Sequence, residues 1–154
     1  MTKLIESLKL LIVSFEALCL LLLIAALYYY PTVFGQIGSQ FKNNNDIWKF
    51  LPAITVPICG FSIQYAWKIL NPLNGTSNRI LHEWPNYWKL KYRVISSIFI
   101  CVTCAIGSVI IWIFAKNLPA NIIGFTFVAS CSIALIVALN QLLAAFKVRE
   151  LMEP

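Results

Sequence analysis

The sequence predicts an all-α membrane protein: four transmembrane helices in a compact bundle, with both termini in the cytoplasm. Three observations predict it. Four apolar stretches, at about residues 8–30, 48–70, 94–114 and 121–146, are each long enough as a helix to cross a hydrocarbon core of about 30 Å. The 154-residue chain is 60% hydrophobic and 12% charged, whereas a soluble domain is roughly 25% charged. The cations are also unevenly placed. Lys3, Lys9, Lys68, Arg79, Lys89, Lys91, Arg93, Lys147 and Arg149 fall on one side of a four-span topology, and Lys42, Lys49 and Lys116 on the other. Cations accumulate on the cytoplasmic side of spanning helices, which sets the orientation. The whole chain reads as one transmembrane domain.

The first stretch exceeds the 7–15-residue apolar core of a secretory signal. It ends in Tyr28-Tyr29-Tyr30-Pro31 rather than small residues, so it reads as a spanning helix. It carries Glu16, the one ionisable residue well inside a span, about 10 Å along the helix from Lys9. A charged carboxylate at that depth costs at least about 2.5 kcal/mol. It must therefore be protonated, paired or turned to a wet cavity. Residues 31–47 are polar, with Gly35, Gly38 and the run Asn43-Asn44-Asn45-Asp46, and read as an outer loop.

The second stretch contains Pro52, Pro57 and Gly60. Proline inside a helix frees a carbonyl and usually kinks it, so Pro57 and Gly60 mark a kink or a hinge. In the cytoplasmic segment 71–93, Asn71-Pro72 and Asn74-Gly75 signal turns. Asn74-Gly75-Thr76 matches a glycosylation acceptor, but this topology leaves it on the cytoplasmic side. Pro85 suits the first position of a helix, so the third helix is expected to begin there. Trp84, Trp88 and Tyr92 follow at four-residue spacing, with Lys89, Lys91 and Arg93 among them. That pattern fits an interfacial anchor to lipid headgroups or a docking surface for a cytoplasmic protein.

On the third stretch Ser97, Cys101, Cys104 and Ser108 share a face. On the fourth, Ala134, Ala138, Gln141 and Ala145 do. Small residues in such stripes let helices approach closely in lipid. A short outer hairpin containing Pro119 joins the two. Tyr28, Tyr29, Tyr30, Trp48, Trp112 and Phe114 predict an outer aromatic belt; Trp67, Trp84, Tyr87, Trp88 and Tyr92 predict an inner one.

Asn140, Gln141 and Gln64 fall at a depth similar to that of Glu16. An intramembrane polar cluster of Glu16, Gln64, Asn140 and Gln141 is therefore expected. It could serve as an interhelical clasp, as a proton or cation site, or as a sensing switch. The five cysteines all lie in apolar stretches and read as packing residues. Cys101-Val-Thr-Cys104 matches CxxC but has no companion ligands, so no metal and no cofactor is expected. The one histidine, His82, stands beside Glu83 without a catalytic constellation, and no nucleotide or hydrolase motif is present. No catalytic residue is assigned. The cations flank spans and do not form a nucleic-acid footprint.

In general architecture the chain resembles the small four-helix membrane proteins of bacteria that act as bacteriocin-immunity proteins or as membrane subunits of phage-defence operons. The resemblance lies in architecture and transfers no residue. It implies a bacterial inner membrane. The expected function is a non-enzymatic subunit of a homo-oligomer, assembled through the small-residue faces, that acts as a membrane sensor or scaffold and engages a cytoplasmic partner. The alternative is a channel or membrane-permeabilising effector lined by Glu16, Gln64 and Asn140. A small transporter ranks lower, for want of a repeat.

Overall fold

In the computed structural model, residues 15–43, 51–72, 83–114 and 117–152 are described, and within them every regular element is helical. The described residues form five helices: α1 (Phe15–Tyr29), α2 (Pro31–Asn43), α3 (Leu51–Leu70), α4 (Tyr87–Phe114) and α5 (Ala120–Met152). Three are long and apolar enough to cross a membrane, over Pro52–Leu70, Tyr87–Phe114 and Ala120–Glu150. A fourth span arises if the bent pair α1 and α2 counts as one. The start of the first apolar stretch at 8–14, Trp48 and Lys49, the turn and acceptor at Asn74-Gly75-Thr76, His82 and Lys116 lie outside the described residues.

The segment expected as an outer loop is a helix over Pro31–Asn43. Pro31 causes the break before it. Having no N–H, it cannot continue α1, and it biases Tyr30 away from helical backbone angles. At the first position of a new helix the same proline is well placed. The chain bends by 93° between α1 and α2. Phe34 and Gly38 are buried on one face of α2, and Phe41 packs with Ile111, Ile123 and Leu118. Phe34 and Phe125 meet edge to face at 5.7 Å.

Two glycines make that crossing possible. A Cβ built on Gly38 would lie 1.8 Å from the Ala120 carbonyl oxygen, and one on Gly124 would lie 2.1 Å from the Phe34 carbonyl oxygen. The backbones of α2 and α5 thus touch directly.

Helix α3 runs unbroken through Pro57. Pro57 and Gly60 are both on its exposed side, and a Cβ on Gly60 would meet nothing within 4 Å. Helix α4 begins at Tyr87 after a turn in which the Tyr87 amide donates to the Trp84 carbonyl at 2.9 Å. Pro85, the expected start, therefore sits in the turn before α4, and the helix begins two residues later.

The centre of the bundle packs Cys59 of α3, Cys101 of α4 and Ile133, Ala134 and Val137 of α5. Towards the C-terminal end of α5, Ala66, Ile69, Val94 and Ala145 form a second layer, flanked by Leu90 and Val148. The outward faces carry Leu21, Leu22, Phe99, Ile106 and Leu143, all well exposed, as lipid contact requires.

Candidate functional site

The polar groups inside the bundle are held by partners on other helices. Near the α2 end, buried Thr55 and Ser108 join α3 to α4, their hydroxyl oxygens 2.5 Å apart. Ser108 donates its proton to the Ala105 carbonyl at 2.7 Å, so Thr55 is the donor to Ser108. Farther along, Ser62 of α3 donates to Oε1 of Gln141 on α5 at 2.5 Å. On α1, Glu16 is buried and accepts from Nδ2 of Asn140 at 3.3 Å.

Glu16, Asn140 and Gln141 meet around one cavity of about 280 Å³, between α1, α4 and α5. Ser97 and Arg93 complete its polar wall, and Leu90, Val94 and Ala144 its apolar wall. Gln141 is only 4% exposed. Its carbonyl is taken by Ser62, but among the described residues its Nε2 has no hydrogen-bond partner. A buried donor left unmade costs about 1–3 kcal/mol, so this amide calls for an acceptor.

Gln64 does not join this group. It is exposed on α3, whereas Ser62 is fully buried. Two residues apart is about 200° around a helix, so the face that brings Ser62 to Gln141 turns Gln64 outward. Depth alone suggested Gln64; helical phase selects Ser62, which sequence reasoning passed over. Ser97, by contrast, was a candidate from the sequence and is a cavity residue. Its signal was its place one turn beyond Arg93 on the small-residue face.

That face is consumed within the chain. Ser97, Cys101 and Ser108 on α4, and Ala134 and Ala138 on α5, are buried, while Cys104 is half-buried. These stripes close α4 against its own bundle and are not open faces for a second copy. The cysteines are free thiols. Among the described residues, no group of three or more histidine, cysteine, aspartate or glutamate side chains is arranged to hold a metal ion.

The aromatic stripe before the third apolar stretch lies at the surface. Trp84 and Tyr92 are exposed, with Trp88 partly so. Trp88 and Tyr92 stack edge to face at 6.1 Å, and the Lys89 ammonium lies 5.5 Å from the Trp88 ring centre. Lys89, Lys91 and Arg93 are exposed, and Arg93 also reaches the cavity wall. The stripe and the cavity are therefore adjacent. Comparison with protein-family models, curated proteins and solved structures returns no match for this chain.

Proposed function

We propose that this protein is a non-enzymatic integral membrane subunit of the bacterial inner membrane. It has cytoplasmic termini and presents a docking surface to a cytoplasmic protein, acting as a membrane scaffold or sensor. The observation that carries this reading is the length of the α4–α5 hairpin. Helix α4 has 28 residues and α5 has 33, about 42 Å and 50 Å, against a hydrocarbon core of about 30 Å. Both overhang at the same end, since the two helices are joined at the other end through Leu118 and Pro119.

The overhang is packed, with Val148 of α5 and Leu90 of α4 against the layer of Val94 and Ala145. A packed projection holds its surface side chains in fixed positions. Here those side chains are Trp84, Trp88, Tyr92, Lys89 and Lys91, and aromatic rings among cations suit an interface anchor. The lopsided cations favour the cytoplasm as the side it faces. Self-association, in this reading, uses the outward faces of α1 and α4, because the small-residue stripes are already occupied.

Proximity labelling from a C-terminal fusion in the native host tests the reading. The comparison is wild type against a Trp84→Ala/Trp88→Ala/Tyr92→Ala triple variant, with membrane level and nanodisc mass as controls. Loss of a defined set of labelled soluble proteins in the variant supports docking. An unchanged set, with the variant inserted normally, rejects it.

A further inference from the structure

We propose that the cavity between α1, α4 and α5 binds a zwitterionic group that pairs an ammonium with an oxyanion, as the headgroup of an ethanolamine phospholipid does. The inference goes beyond the docking reading and does not depend on it, because it concerns purified protein and lipid alone.

The lining specifies both charges. Glu16 supplies a buried carboxylate whose Oε1 is held by Asn140 at a long 3.3 Å, which leaves acceptor capacity on the carboxylate for a cationic donor. Arg93 supplies a guanidinium at the exposed end, a fork suited to phosphate or carboxylate oxygens. Gln141 lines the same cavity, is buried, and has no hydrogen-bond partner for its Nε2 among the described residues. An oxygen of the bound oxyanion would satisfy it. A simple anion would face the Glu16 carboxylate, and a simple cation would leave both Arg93 and the Gln141 amide without an acceptor. A ligand carrying both charges satisfies all three.

Position favours a headgroup. Arg93 stands where α4 leaves its apolar run, and Ser97 lies about 6 Å deeper along the helix axis. The cavity therefore straddles the depth at which headgroups lie. Its volume of about 280 Å³ sits near the lower limit of small-ligand sites, about 300 Å³. Leu90, Val94 and Ala144 form an apolar wall, and Leu143 and Phe146 on α5 are exposed beyond it, where acyl chains can lie.

Native mass spectrometry of the full chain, released from nanodiscs of defined composition, tests the proposal. Wild type is expected to retain phosphatidylethanolamine at least tenfold over phosphatidylglycerol. Glu16→Gln, which keeps the carbonyl that Asn140 contacts, should abolish that preference. Arg93→Gln should weaken retention of both lipids. A free-ligand arm adds phosphoethanolamine. Displacement of the lipid by millimolar phosphoethanolamine assigns the site to a soluble zwitterion of the same chemistry; failure to displace assigns it to the lipid. Equal retention of the two lipids by wild type overturns the proposal without reference to any variant. An ethanolamine preference that survives Glu16→Gln in a folded protein also overturns it.

Discussion

Replacing Gly124 or Gly38 with alanine should separate α2 from α5 and loosen the bent N-terminal pair. The added methyl on Gly38 would stand 1.8 Å from the Ala120 carbonyl oxygen, and that on Gly124 2.1 Å from the Phe34 carbonyl oxygen. Ordinary contact begins near 3.4 Å, and both obstacles are backbone, which no rotamer change can move aside. The helices must part by roughly 1.5 Å at the crossing, which loses the dispersion contacts of Phe34 and Phe41 along with it. Overpacking of this kind costs about 1–3 kcal/mol. If α2 opens locally, that range corresponds to amide exchange roughly 5- to 150-fold faster. Hydrogen–deuterium exchange of the nanodisc-embedded protein over Pro31–Asn43 is the assay, with the central part of α4 as an internal reference. Gly60→Ala serves as the control, because its Cβ meets nothing within 4 Å. Exchange in α2 that is the same for Gly124→Ala, Gly60→Ala and wild type would refute the direct backbone contact and the packing argument with it.

Three further outcomes are expected. Ser62→Ala removes the donor to buried Gln141 and should destabilise the bundle by about 0.6–2 kcal/mol; adding Gln141→Leu, which also removes the orphaned amide, should restore stability rather than lower it further, as read by steric-trap unfolding in micelles. Thr55→Val deletes the α3–α4 hydrogen bond to Ser108 while keeping shape, so a loss of about 1 kcal/mol is expected, and no change in the same unfolding assay would contradict the bond. In a cysteine-free background, Lys89→Cys and Glu150→Cys should both react with a membrane-impermeant maleimide from the cytoplasmic face only, and labelling of either from outside would reverse the proposed orientation.

The helical, membrane-spanning character of the chain was legible in the sequence because it rests on length and composition. A run of twenty apolar residues has few stable alternatives to a lipid-embedded helix, whatever surrounds it. The small faces on α4 and α5 were legible for a similar reason, since helical periodicity alone groups Ser97 with Cys101 and Ala134 with Ala138. The proximity of Glu16 to Asn140 followed from equal depth, and here depth was enough.

Depth was not enough for Gln64. Which way a residue faces at a given depth depends on the rotation of its helix, and only packing against α5 sets that rotation, turning Ser62 in and Gln64 out. Helix α2 was hidden by its glycines and by the asparagine run after it, although Pro31 and the spacing of Phe34, Gly38 and Phe41 are helix signals. Gly38 reads as a loop residue because its purpose lies in another segment: the Ala120–Gly124 turn, about 80 residues away, needs a backbone surface to press against. The sequence by itself determined that this protein lives in a membrane as a set of helices, because the solvent imposes that on each segment separately. Only the tertiary structure decided the 93° bend, the occupied small-residue faces and the cavity with its unpartnered amide. Each of these depends on how one helix rotates and crosses against another.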